Sequence, residues 1–217
     1  MFRVSYRAVT GNLSVTVHGL PAGVDAGISV SGPGGYSSTV NASTTLYGLM
    51  PGTYSLSASG RPAQESTPYG ILTYLYQPDS GSRSVEVFPG STAVATFTFA
   101  KQSGNLQVKV QSPVSGRASV SISGAGGFTA NQTVTGTATL SYNGLPTGTY
   151  TVTGADFRYG GITYKASPSS GTLANGQTLG LTLVYAPATA RIAFTVSKPA
   201  SCPDPTVVLK AGGSEVG

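Results

Sequence analysis

Leu49-Met50-Pro51-Gly52-Thr53-Tyr54-Ser55-Leu56 and Leu145-Pro146-Thr147-Gly148-Thr149-Tyr150-Thr151-Val152 are one phrase written twice. Each copy reads as leucine, two residues, Gly-Thr-Tyr, one more residue and an aliphatic side chain. Glycine lets the chain turn sharply out of a loop. The tyrosine that follows is expected to open a strand with its ring in a core and its hydroxyl near loop backbone, as in a tyrosine corner.

Working outward, the rest of the chain repeats in the same order. Gly11-Asn12-Leu13-Ser14-Val15-Thr16-Val17 returns as Gly104-Asn105-Leu106-Gln107-Val108-Lys109-Val110. Ser29-Val30-Ser31-Gly32-Pro33-Gly34-Gly35-Tyr36 returns as Ser121-Ile122-Ser123-Gly124-Ala125-Gly126-Gly127-Phe128. Tyr69-Gly70 with Thr73-Tyr74 aligns with Tyr159-Gly160 and Thr163-Tyr164, Pro78 with Pro168, and Phe97-Thr98-Phe99 with Leu183-Val184-Tyr185. The offset drifts through 93, 92, 96, 90 and 86 residues. Drift of this kind marks tandem domains with loops of unequal length rather than a tight solenoid.

Within each copy, apolar residues recur every second position, the period of half-buried strands. Leu13, Val15 and Val17 are expected to face inward, as are Leu106, Val108 and Val110 with Lys109 outward. The stripes Ala95-Phe97-Phe99 and Leu179-Leu181-Leu183-Tyr185 follow the same rule. No segment carries a helical period. Turn residues such as Pro51-Gly52, Asp79-Ser80-Gly81, Pro89-Gly90, Asn143-Gly144 and Asn175-Gly176 punctuate the runs. About seven short strands per repeat of roughly 90 residues predict a two-sheet sandwich. The expected fold is therefore all-β: tandem seven-stranded sandwiches in an elongated array, with a short joint at residues 100–103. Residues 11–100 form the first repeat and 104–188 the second. Residues 1–10 read as the last strand of a preceding unit, and 189–217 as the opening strands of a truncated third.

The Leu-x-x-Gly-Thr-Tyr phrase and the opening Gly-x-Leu-x-Val-x-Val strand resemble the prealbumin-like, Ig-like sandwiches of carboxypeptidase regulatory-like domains and the B-type repeats of bacterial collagen adhesins. The resemblance covers residues 11–99 and 104–185. It implies a stalk, spacer or adhesion module on a cell surface. Adhesin repeats of this kind often hold an internal Lys–Asn isopeptide bond beside a buried acid. The second repeat has no Glu, and Asp156 is its only acid, so no such bond is expected.

Composition narrows the function. Of 217 residues, 9% are charged, against about 25% in ordinary soluble domains, and Ser plus Thr make up about a quarter. Coiled coils and charged disordered tails need more charge than this. The 30 glycines lack the collagen period, one cysteine builds no disulfide scaffold, and no apolar run reaches a membrane span. The net charge of +5 is dispersed and forms no phosphate-tracking cluster, so no nucleic-acid partner is expected. Residues 1–10 have no apolar leader core, and the signal of an exported parent would lie outside this chain.

Chemistry-bearing residues are sparse. His18, the sole histidine, has no Cys or acid at metal-ligand spacing, and the acids form no pair or calcium loop. The Gly-rich stretches lack the lysine and helix of a phosphate loop. Cys202 is either a free thiol or paired outside this chain. No catalytic, cofactor or metal residue is assigned, and the chain is not expected to be an enzyme. Four aromatics are singled out as candidate surface contacts: Tyr36 and Phe128 after Gly-Gly, and Tyr69 and Tyr159 beside a glycine. They either stack on a glycan or protein, or cap an open sandwich end and rest on the neighbouring unit. Phe2, Val4 and Tyr6 form an apolar stripe expected to pair with a strand of a partner chain. The sequence therefore predicts a non-catalytic structural or assembly segment of a bacterial extracellular or cell-surface protein. Its partners would be neighbouring repeats or other copies of itself. The alternative is a glycan- or protein-binding accessory module of a secreted enzyme or a virion protein.

Overall fold

The computed structural model describes residues 9–189, together with residue 3, residues 210–211 and residues 214–215. Phe2, Val4, Tyr6 and Cys202 lie outside the described residues. Contacts divide the chain into Met1–Pro187 and Ala188–Gly217. In the second part the described residues form a two-stranded ladder, Lys210 opposite Glu215 and Ala211 opposite Ser214.

The first part holds two sandwiches with the same strand order. In the first, β1 (Gly11–His18), β2 (Ile28–Gly32), β3 (Tyr36–Val40), β4 (Thr44–Leu49), β5 (Gly52–Ser57), β6 (Arg61–Thr67), β7 (Gly70–Pro78), β8 (Ser82–Val87) and β9 (Thr92–Lys101) build two sheets, ordered β4-β1-β9-β7-β6 and β3-β2-β5-β8. In the second, β10 (Ser103–Gln111), β11 (Arg117–Gly124), β12 (Thr129–Thr135), β13 (Ala138–Pro146), β14 (Gly148–Gly154), β15 (Phe157–Tyr159), β16 (Ile162–Ser167), β17 (Ser169–Leu173) and β18 (Thr178–Pro187) are ordered β13-β10-β18-β16-β15 and β12-β11-β14-β17. Each sandwich has nine described strands rather than the expected seven, the β6–β7 and β15–β16 hairpins among them. The first and last strands of each sandwich run parallel, Leu13 beside Ala93 and Leu106 beside Leu179. All other ladders within the sandwiches are antiparallel. No α-helix occurs among the described residues.

The period-two stripes form the cores. Leu13, Val15, Phe97 and Phe99 are buried in the first sandwich, and Leu106, Val108, Val110, Leu181, Leu183 and Tyr185 in the second. Val17 and Leu179 are only half-buried. The repeated phrase acts as expected. Tyr54 and Tyr150 are fully buried, and their hydroxyls donate to the carbonyls of Met50 at 3.1 Å and Pro146 at 2.7 Å. Gly52 and Gly148 have φ of 136° and 137°, a region open to glycine but not to residues with a Cβ. A second glycine supports each ring from the neighbouring strand. A Cβ at Gly32 would lie 2.3 Å from the Tyr54 ring, and one at Gly124 would lie 2.1 Å from the Tyr150 ring.

The two cores are not separate. The buried residues of both sandwiches form one contiguous cluster. Only Gln102 stands between β9 and β10, and its N–H donates to the Leu75 carbonyl at 2.8 Å. Tandem sandwiches with a short joint would allow two cores in series; the structure joins them through aromatic side chains at the junction.

Candidate functional site: the joint between the sandwiches

The joint is built by a hairpin arm. β6 and β7 pair from Arg61–Tyr76 out to Thr67–Gly70, with Pro68 and Tyr69 in the turn. Tyr76 faces Lys101 at the end of β9, so the residues before Tyr76 carry the arm past the first sandwich. The tip meets β13 and the turn before β12 in the second sandwich. Tyr69 sits edge-on to Phe128 at 5.5 Å between ring centroids and to Tyr142 at 5.7 Å. Phe128 and Tyr142 are edge-on to each other at 5.3 Å, and Phe128 tilts against Tyr150 at 5.9 Å. Edge-to-face pairs contribute about 0.5–1.5 kcal/mol each beyond the area they bury.

Polar contacts fix the register of the joint. The Tyr74 hydroxyl donates to the Gly144 carbonyl at 2.7 Å, and the Asn143 N–H donates to the Tyr69 hydroxyl at 3.3 Å. Gly126 has φ of 65°, and a Cβ there would lie 2.4 Å from the Thr73 carbonyl oxygen. Glycine is therefore required at the point where the arm crosses. The Asn105 side chain accepts from the Gly144 N–H at 3.1 Å and ties that turn to β10.

A charged cluster stiffens the root of the arm. Lys101 Nζ lies 2.9 Å from Glu65 Oε2 and 4.3 Å above the centre of the Tyr74 ring. The Tyr76 hydroxyl donates to Glu65 Oε1. Burial raises the Glu65 carboxyl, but the hydrogen bonds from Tyr76 and Lys101 outweigh it and hold the group below its ordinary value. Burial, with Glu65 as the next cause, pushes Tyr76 up to about 12. Burial likewise raises Tyr74, Tyr142 and Tyr150. Tyr74 and Tyr76 are structural hydrogen-bond donors whose raised values keep them protonated at neutral pH.

The four aromatics singled out from sequence separate here. Phe128 is 0% exposed, and Tyr69 is half-buried against it. Tyr36, the counterpart of Phe128, is half-buried and edge-on to Tyr54 at 5.6 Å. Tyr159 is 47% exposed. Its sequence alignment with Tyr69 is corrected by the strand register. Pro78 faces Phe99 and Ala166 faces Tyr185, so Tyr164 stands where Tyr76 does, not where Tyr74 does. Fifteen residues separate Arg61 from Tyr76, but only seven separate Phe157 from Tyr164. The second hairpin turns at Gly160-Gly161 and lacks the arm altogether. Sequence reading missed Tyr74, Tyr142 and the arm itself. The surplus residues between Tyr54 and Phe99, relative to Tyr150 and Tyr185, were the available signal.

No group of three or more His, Cys, Asp or Glu is placed to hold a metal among the described residues. His18 is exposed at the end of β1. The outer face of the β3-β2-β5-β8 sheet is lined by Ser29, Ser31, Ser55, Ser57, Ser82 and Ser84. Ser31 Oγ donates to the Ser55 carbonyl at 3.5 Å. No described helix is long and apolar enough to cross a membrane.

No protein-family model matches this chain, and no curated protein matches it. Among solved structures, it is similar to the Bacillus anthracis TIE protein, with 20% identity over 82% of this chain and a TM-score of 0.41. It spans 34% of that chain. It is also similar to the major pilin protein T3.2 of Streptococcus pyogenes, with 12% identity, 82% of this chain and 97% of that one covered, and a TM-score of 0.42. The minor pilin GBS52 of Streptococcus agalactiae matches at 11% identity and a TM-score of 0.35, with 86% of this chain and 100% of that one covered. The superpositions are loose, and no residue of this chain takes a role from them.

Proposed function

We propose that this chain is a non-catalytic structural segment, a tandem β-sandwich spacer of an extracellular or cell-surface protein, whose working contacts are between neighbouring repeats. Residues 11–100 and 104–188 are its two repeats. The observation that carries this reading is the joint. An arm of the first sandwich spends Tyr69 and Tyr74 on the second, and the connecting segment is a single residue, Gln102. A flexible tether between independent binding modules would need neither. A spacer that transmits position or load along a chain needs both, because a joint held by buried rings and hydrogen bonds resists bending. The Ser- and Thr-rich faces and low charge suit an exported, protease-exposed setting, and the resemblance of the Gly-Thr-Tyr phrase to surface-protein sandwiches points the same way. Glycan stacking is the weaker reading, since Phe128 and Tyr69 are occupied by each other.

The test is backbone amide relaxation on the full chain. The two sandwiches are expected to tumble with one correlation time. Two separate correlation times would sink the spacer reading.

A further inference from the structure

The face of the second sandwich that receives the arm has a counterpart on the first. Leu106 opposes Tyr142 and Leu13 opposes Leu46, which sets Leu46 in the place of Tyr142, Tyr47 in that of Asn143, and Gly48 in that of Gly144. Met50 takes the place of Pro146, Tyr36 that of Phe128, and Gly34 that of Gly126. The backbone of this face is already in the receiving shape. Gly48 has φ of 69° against 65° at Gly144, and Gly34 has 67° against 65° at Gly126. The Asn12 side chain accepts from the Gly48 N–H at 3.3 Å, as Asn105 does from Gly144.

What differs is the cover. On the second sandwich the face lies under the arm. On the first, Tyr47 is 76% exposed, Met50 56%, Phe88 55% and Val9 60%. Phe88 and Val9 belong to the same end, where the Gly90 N–H donates to the Thr10 carbonyl at 2.9 Å. Side chains of this size are normally removed from water when they cluster. Of the counterpart positions, Pro146, Tyr142 and Phe128 are buried, whereas Met50 is exposed and Leu46 and Tyr36 only half-buried; Asn143, the counterpart of Tyr47, stays exposed and offers the arm its backbone N–H.

We propose that this end face of the first sandwich, centred on Tyr36, Tyr47, Gly48 and Met50, is the docking face for the aromatic-tipped hairpin arm of another sandwich unit of the same kind. The inference rests on the spacer reading and deepens it by naming both halves of the joint. Tyrosines placed as Tyr69 and Tyr74 would meet the Tyr36 ring and the Gly48 carbonyl, as they meet Phe128 and Gly144 within this chain. The short hairpin at Gly160-Gly161 lacks that reach, so the donor is a unit of the first type, with residues 61–76 as its arm.

Two experiments on the full chain test this. In the first, a second copy of residues 11–101, carrying Met50→Leu so that one Met50 remains, is joined ahead of Val9, and Met50 oxidation by peroxide is followed by mass spectrometry. Met50 is expected to oxidise several-fold more slowly than in the chain alone, because a covered thioether is shielded. Tyr69→Ser with Tyr74→Phe in the added copy should restore the original rate. An unchanged rate with the added unit folded would overturn the proposal. The second experiment needs no added unit. The receiving face is transplanted onto the second sandwich by Phe128→Tyr, Tyr142→Leu, Asn143→Tyr and Pro146→Met. The two sandwiches are expected to keep one correlation time. Independent tumbling of the transplanted chain, with the parent chain still tumbling as one body, would overturn the docking face while leaving the spacer reading intact.

Discussion

Two tyrosines and the glycines beneath them set the geometry of each sandwich. Tyr150 buries its whole ring and places its hydroxyl on the Pro146 carbonyl. Tyr150→Ala is expected to cost about 3–5 kcal/mol, the range for losing a large buried ring. Tyr150→Phe should cost about 1–2 kcal/mol, because it strands a carbonyl without its donor. Denaturant unfolding of both variants, and of Tyr54→Ala, checks the pair; an unmoved midpoint for either alanine variant would mean that the ring is not a core element. Titration at the joint gives a second expectation. Tyr76 is raised from 10.0 to about 12, so the folded state keeps its proton where the unfolded state loses it. The stability this contributes is full below pH 10 and declines as pH rises towards 12. Glu65 runs the other way: its pKa is lowered from 4.5, so its contribution is present above that value and lost as pH falls through the lowered one. Tyr76→Phe should therefore flatten the alkaline side of a stability-versus-pH curve, and Glu65→Gln the acid side.

At the scale of elements, the β6–β7 arm distinguishes the two repeats. Both hairpins start from equivalent pairs, Arg61 with Tyr76 and Phe157 with Tyr164, but only the first continues beyond its own sandwich. Replacing residues 64–73 with Gly-Gly would give the first sandwich the short hairpin of the second. The sandwich should still fold, because Leu13, Val15, Tyr54 and Phe97 lie outside the excised stretch. The joint should not survive it. Calorimetry is expected to show two separated transitions in the excised chain, in place of the coupled unfolding that a contiguous core predicts for the parent. The arm was hard to read from sequence because Gln64-Glu65-Ser66-Thr67 is polar throughout, Pro68-Tyr69-Gly70 is a turn and Ile71-Leu72 are adjacent, so no period-two stripe marks its strands. Nothing in such a stretch says whether it meets its own sheet or a neighbour's.

At the scale of the molecule, one joint geometry recurs as an occupied face on the second sandwich and an open one on the first. Under the docking proposal, that pairing would let units of this kind stack by unlike ends. Docking of an aromatic arm onto small, positive-φ turns leaves each unit free to vary its outer Ser and Thr faces without altering the stack.

By itself the sequence determined the all-β class, the twofold repeat, the inward stripes and the role of Gly-Thr-Tyr. These are local: a period of two, and a glycine at positive φ two residues before a tyrosine, are each written within a few residues. Only the tertiary structure decided that Phe128 and Tyr69 face each other, that Tyr159 is not the counterpart of Tyr69, and that the cores merge. Those facts depend on how far a hairpin reaches past its own sheet. Reach is set by the register of β7 against β9 and β16 against β18, where a two-residue shift leaves the alternation unchanged and moves every side chain along the stack.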